Sequence, residues 1–184
     1  MQGLALGRFW TVPNMLSLSR IALLPPWWLA MSSSDRFWWN VGGAMVAYAI
    51  LSDVLDGWIA RRFNQSSGWG HILDPVGDKL GGAVVGLFCV MHREMGWLPL
   101  VLVLGRDAVL MIGGLLMAKR TKAIPGSINL GRVAALLWGI TLMLYAFDWQ
   151  PQGQNLLWPA VGVYLAAGVV YVISRLRFAL ASSK

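Results

Sequence analysis

Four aspartates, Asp53, Asp56, Asp74 and Asp78, crowd into one short stretch of a chain that holds only eight acidic residues in all. All four lie in or beside long apolar segments. A carboxylate near a hydrocarbon core is costly unless an opposite charge pairs with it. Four together call for a strongly positive shared partner, most simply one or two divalent cations. The alternative is that they are ion-paired structural residues or helix caps. The basic residues nearby are too few to pair with all four.

The spacing supports a shared site. Asp53, Asp56 and Ala60 fall at i, i+3 and i+7 on one helix face, with Gly57 beside them. Pro75 directly after Asp74 reads as a helix start, with Asp74 as N-cap and Asp78 one turn further on. Two helices that each offer two carboxylates to one point make an oxygen-rich site for Mg²⁺ or Mn²⁺. Gly57, Gly70 and Gly77 would let a ligand approach the backbone. Arg61, one to two turns from the acids, is suited to a phosphate. The chemistry this implies is metal-assisted transfer of a phosphate group, with one carboxylate acting as base toward an alcohol.

The pattern Asp53-x2-Asp56-Gly57-x2-Ala60-Arg61-x8-Gly70-x3-Asp74-x3-Asp78 resembles the signature of the CDP-alcohol phosphotransferases, and every fixed position is met. The resemblance implies an enzyme that moves a substituted phosphate from a CDP-linked donor to an alcohol and releases CMP. Carried over by position, Asp53, Asp56 and Asp74 are metal ligands, and Asp78 is the base and also a ligand. Gly57, Ala60, Arg61 and Gly70 would line the CDP pocket. The donor is expected to be CDP-diacylglycerol, attacked at its β-phosphorus while its acyl chains stay in lipid. The Pro13-Asn14…Arg20 element and the run from Arg61 to Ser66 resemble the bacterial phosphatidylglycerophosphate synthases, whose acceptor is glycerol 3-phosphate. The segment from Gly105-Arg106-Asp107 to Arg132 resembles the cardiolipin synthases of the same family, whose acceptor is phosphatidylglycerol. Arg106 and Arg132 are the expected acceptor-binding residues; the alternative is that Arg106 neutralises the adjacent Asp107 and Arg132 anchors the chain at the interface. A homodimer is the expected assembly.

The elements that must carry these residues are helices. The 184 residues are 57% hydrophobic and only 12% charged, which suits an integral membrane protein better than a soluble domain. Apolar runs predict six membrane-spanning helices in one bundle and one domain, residues 1–184. They lie at about Pro13–Met31, Phe37–Arg62, Asp74–Met91, Trp97–Ala118, Asn129–Phe147 and Leu156–Ile173. Pro25-Pro26 should kink or end the first of them. Asn64 to Gly70, His92 to Gly96, Lys119 to Gly126 and Gln150 to Asn155 read as loops or turns, with His71 near the first and His92 solvated in the second. Trp38, Trp39, Trp97, Trp149 and Trp158 lie near predicted helix ends, as an aromatic belt requires.

Charge sets the orientation. Arg8, Arg61, Arg62, Lys119, Arg120, Lys122, Arg175, Arg177 and Lys184 fall on one side of the six-helix arrangement, and Arg36 and Arg93 on the other. The positive side is cytoplasmic, so both termini and the four acids face the cytoplasm of a bacterial inner membrane. The net charge of +7 is spread between apolar runs rather than gathered in a patch, which argues against nucleic acid. Cys89 is the single cysteine and reads as a buried packing residue, so there is no disulfide. Arg20 inside the first apolar run argues against a cleavable signal peptide and marks a functional residue or a snorkelling one. Two further classes fit acids near a membrane: an Asp-rich intramembrane prenyltransferase and a cation transporter. The Gly-x-x-Ala-Arg insert counts against the first, and clustering of the acids at one face counts against the second.

Overall fold

The computed structural model describes residues 11–62, 70–118 and 129–181. They form six α-helices: α1 Val12–Ser32, α2 Arg36–Arg62, α3 Gly70–His92, α4 Trp97–Ala118, α5 Asn129–Ala146 and α6 Gln152–Ala181. No strand occurs among the described residues. The predicted all-α class and the helix count are therefore observed. The predicted basic loop Lys119 to Gly126, and the predicted loop from Asn64 up to Gly70, lie outside the described residues. The chain divides into two compact units, Met1–Val85 and Gly86–Lys184, and the boundary falls inside α3.

In the first unit α1 packs on α2. Thr11 caps α1, its hydroxyl accepting from the Asn14 N–H at 3.5 Å, and Pro13 sits in the first turn, where a missing N–H is harmless. The helix then runs through Pro25-Pro26 without ending. Each proline forfeits a backbone bond, and packing along α2 keeps the segment helical. A tight turn follows, in which the Asp35 carboxylate accepts from the Phe37 N–H at 2.9 Å and so caps α2. Gly42 lets the helices approach closely. A Cβ there would stand 2.5 Å from the sulfur of buried Met31.

The start of α3 differs from expectation. It begins at Gly70, so Asp74 lies in the body of the helix rather than at its N-cap, and His71 is helical rather than in a loop. Ile72 and Leu73 extend the apolar run upstream. The extra turn outweighs the single backbone bond that Pro75 cannot donate.

In the second unit α6 packs against both α4 and α5. Cys89 is buried, as predicted, and its thiol donates to the Leu142 carbonyl at 3.6 Å. His92 is exposed and closes α3 by stacking on Phe88, with ring centres 4.7 Å apart. Arg93 Nε donates to the Ala146 carbonyl at 3.1 Å, satisfying one of the orphan acceptors at the end of α5. That helix stops in a Schellman turn. Asp148 takes the left-handed conformation at φ 55°, its N–H bonds Tyr145, and the Trp149 N–H bonds Leu144. The polar run after it is not a turn as far as Asn155. The Asn155 N–H bonds the Pro151 carbonyl, so Gln152 to Asn155 already form the first turn of α6. At its other end α6 continues past Ile173 to Ala181, because no residue there breaks a helix.

Many bulky apolar side chains stand outward on these helices, among them Leu29, Val109, Ile112, Leu136 and Trp158. Trp38, Trp97 and Trp149 are exposed at or near helix ends. A surface of this kind marks contact with an apolar partner rather than with water alone. Among the described residues one helix segment, Gln152–Ser174, is long and apolar enough to cross a membrane; Leu130–Ala146 is apolar but shorter.

Candidate active site

Asp53 and Asp78 come from different helices and meet at one positive charge. Asp53 lies on α2, whose continuous helix to Arg62 puts Asp53, Asp56, Gly57 and Ala60 on one face by register. Asp78 lies on α3, one turn after Asp74. Arg20 of α1 reaches both. Its Nη1 donates to Asp53 Oδ1 and stands 3.9 Å from Asp78 Oδ1. The carboxylates are open to solvent, with side chains 61% and 68% exposed, whereas the Arg20 side chain is only 14% exposed.

The base of this arrangement is polar and buried. Arg20 Nη2 donates to Ser17 Oγ at 3.3 Å, and Ser17, Asn14 and Ser52 are all almost fully buried. Ser19 Oγ and the Tyr48 hydroxyl share a hydrogen bond of 2.8 Å, a second polar link between α1 and α2. The spacing Asn14, Ser17, Arg20 (i, i+3, i+6) carried a signal for this polar face of α1. Tyr48 carried none, because its partner is 29 residues away.

Asp56, Gly57, Ala60 and Arg61 lie on α2, and Gly70 and Asp74 on α3, while their side chains lie outside the described part of the structure. Asp53 and Asp78 offer only carboxylate oxygens, and both face one cationic group. That donor chemistry fits Mg²⁺ or Mn²⁺. Among the described residues no group of three or more possible ligands converges on one point.

Arg106 belongs to the second unit and is held there. Its Nη1 donates to Asp107 Oδ1 at 2.8 Å, and its guanidinium carbon lies 4.5 Å from the centre of the Tyr164 ring. It also presses on α6 at Gly168, where a Cβ would stand 2.8 Å from Arg106 Nε. Arg132 is exposed in the first turn of α5.

The sequence profile of the CDP-alcohol phosphatidyltransferases matches residues 10–174. The chain belongs to this family. An Aquifex aeolicus protein named CDP-diacylglycerol–glycerol-3-phosphate 3-phosphatidyltransferase is 36% identical over 72% of this chain and 73% of its own. One of the same name from Pseudomonas fluorescens is 32% identical over 62% of this chain and 60% of its own. A cardiolipin synthase (CMP-forming) from Streptomyces coelicolor is 35% identical over 90% of this chain and 83% of its own.

A CDP-alcohol phosphatidyltransferase is an enzyme, and this sets aside the prenyltransferase and transporter readings. The matched region contains all three helices that meet at Arg20 and the whole aspartate motif. The exposed carboxylates of Asp53 and Asp78 are accessible to a ligand from solvent, and Arg20 lies behind them. Two solvent-facing carboxylates beside one guanidinium can accept a proton from a hydroxyl, and their oxygens are of the type that binds a hard cation.

Proposed function

We propose that the enzyme transfers a phosphatidyl group from CDP-diacylglycerol to glycerol 3-phosphate, with release of CMP, at the cytoplasmic face of a bacterial inner membrane. The observation that carries this reading is the meeting of Asp53 and Asp78 at one positive charge. It is the behaviour expected of two carboxylates that share a cation site. The named glycerol-3-phosphate transferases among the relatives support the acceptor. The outward apolar side chains of the helices support a six-span bundle, the bias of basic residues to one side supports cytoplasmic termini, and a homodimer is the assembly this reading takes.

In this mechanism Asp53, Asp56, Asp74 and Asp78 would hold Mg²⁺ or Mn²⁺, and Gly57, Ala60, Arg61 and Gly70 would line the cytidine diphosphate pocket. The cation, expected as a pair of ions, supplies the charge that neutralises the diphosphate and the departing CMP. A carboxylate oxygen of Asp78 takes the proton of the acceptor hydroxyl. The acceptor oxygen forms its bond to the β-phosphorus as the bond from that phosphorus to the bridging oxygen breaks. Arg106 and Arg132 hold the acceptor's phosphate through guanidinium hydrogen bonds.

The Streptomyces relative, aligned over nine-tenths of this chain, favours a second reading in which phosphatidylglycerol is the acceptor. The purified protein, given labelled CDP-diacylglycerol and each acceptor in turn, decides between them. The expected result is CMP release and labelled phosphatidylglycerophosphate with glycerol 3-phosphate. Product only with phosphatidylglycerol establishes the second reading, and no CMP with either acceptor overturns both.

A further inference from the structure

We infer that Arg20 is a resident counter-ion for the metal-binding carboxylates, holding Asp53 and Asp78 toward one point before a divalent cation arrives and yielding Asp53 when it binds. This rests on the reading of those aspartates as cation ligands.

The geometry gives the guanidinium two separate tasks. One nitrogen, Nη1, faces the acids: it donates to Asp53 Oδ1 and lies 3.9 Å from Asp78 Oδ1. The other, Nη2, is held from behind by Ser17 Oγ at 3.3 Å, and Ser17 is buried in the first unit. A lysine, whose donors all sit on one nitrogen, lacks the planar fork that spans the acids and Ser17 here. The charge is also permanent, because arginine does not lose its proton in proteins. Two carboxylates brought from α2 and α3 toward one nitrogen of Arg20 repel each other, and a fixed positive charge beside both relieves that repulsion.

The same contact has a consequence for the cation. Asp53 Oδ1 cannot accept from Nη1 and coordinate a metal along the same direction at once. A divalent ion would carry twice the charge and bind oxygen directly, so it would compete with the guanidinium for that carboxylate. The Ser17 hydroxyl, which accepts from Nη2, would keep Arg20 at the site when Nη1 gives up Asp53. Arg20 is thus a positioning residue that sets the cation concentration at which the site loads.

Mn²⁺ binding to the full-length protein in detergent, followed by electron paramagnetic resonance, tests this without turnover. Arg20→Gln should bind Mn²⁺ at least about threefold more tightly than wild type, because a competing charge is gone. Arg20→Lys, which keeps the charge, should stay closer to wild type. Metal-free Arg20→Gln should melt below metal-free wild type, and saturating Mn²⁺ should raise its Tm by more. Ser17→Ala keeps the charge but removes the rear anchor, and should tighten Mn²⁺ by a smaller factor. General damage to the fold weakens metal binding, so it cannot imitate tighter binding. Unchanged or weaker Mn²⁺ binding in folded Arg20→Gln overturns the inference; if that variant does not fold, the same result in Ser17→Ala does. Wild-type protein that binds no Mn²⁺ removes the cation reading as well, whereas normal wild-type binding with unmoved variants removes this inference alone.

Discussion

The Tyr164 hydroxyl of α6 reaches both carboxylate oxygens of Asp107 on α4, at 3.1 Å each. Asp107 is buried, and Arg106 supplies its counter-charge from the adjacent position. A buried carboxylate needs such partners, because an unmade hydrogen bond there costs its full desolvation. Tyr164→Phe keeps the ring under the Arg106 guanidinium and removes only the hydroxyl. It should destabilise the protein by about 1–3 kcal/mol. Thermal unfolding in detergent measures this, and an unchanged Tm means that Asp107 is satisfied without the tyrosine.

Arg106 and Arg132 differ in what surrounds them, and their variants should differ accordingly. Arg132 is exposed, so Arg132→Gln should shift the Tm less than Arg106→Gln and raise the acceptor KM by about tenfold, equivalent to about 1.4 kcal/mol. The donor KM should stay constant. Arg106→Gln should raise the acceptor KM too, and it should also lower the Tm, because Asp107 loses its counter-charge. Steady-state kinetics on folded protein that show no change in acceptor KM for either variant remove both residues from the acceptor site.

Asp78→Asn should lower kcat by at least about a hundredfold, the usual contribution of a positioned general base. Its binding of CDP-diacylglycerol should survive better than that of Asp56→Ala. A base acts in the transition state, whereas a metal ligand also holds the ground-state diphosphate. Equal loss of donor binding in the two variants would falsify this division of roles.

Turnover should depend entirely on a divalent cation. Exhaustive chelation should abolish CMP release, and Mg²⁺ or Mn²⁺ should restore it, because carboxylates gathered at one site resist common ionisation without a cation. Full activity in protein shown to be metal-free by elemental analysis ends the metal mechanism.

Periodic properties were legible in the sequence. Six apolar runs became six helices, and the i, i+3, i+7 spacing from Asp53 to Ala60 became one face of α2, because helix register depends on local geometry alone. The aspartate motif likewise led to the family. Helix ends were less legible. Gly70, Gln152 and Ala181 bound α3 and α6 beyond the expected limits, since an additional turn depends on a balance of weak terms that neighbouring packing tips. The partners of the charged residues were decided only in three dimensions. Arg20 meets Asp53 across 33 residues, and Tyr164 meets Asp107 across 57. No local spacing encodes such a pairing. It arises when helices distant in sequence pack together, and a buried charge must then find its counterpart on whichever helix lies opposite.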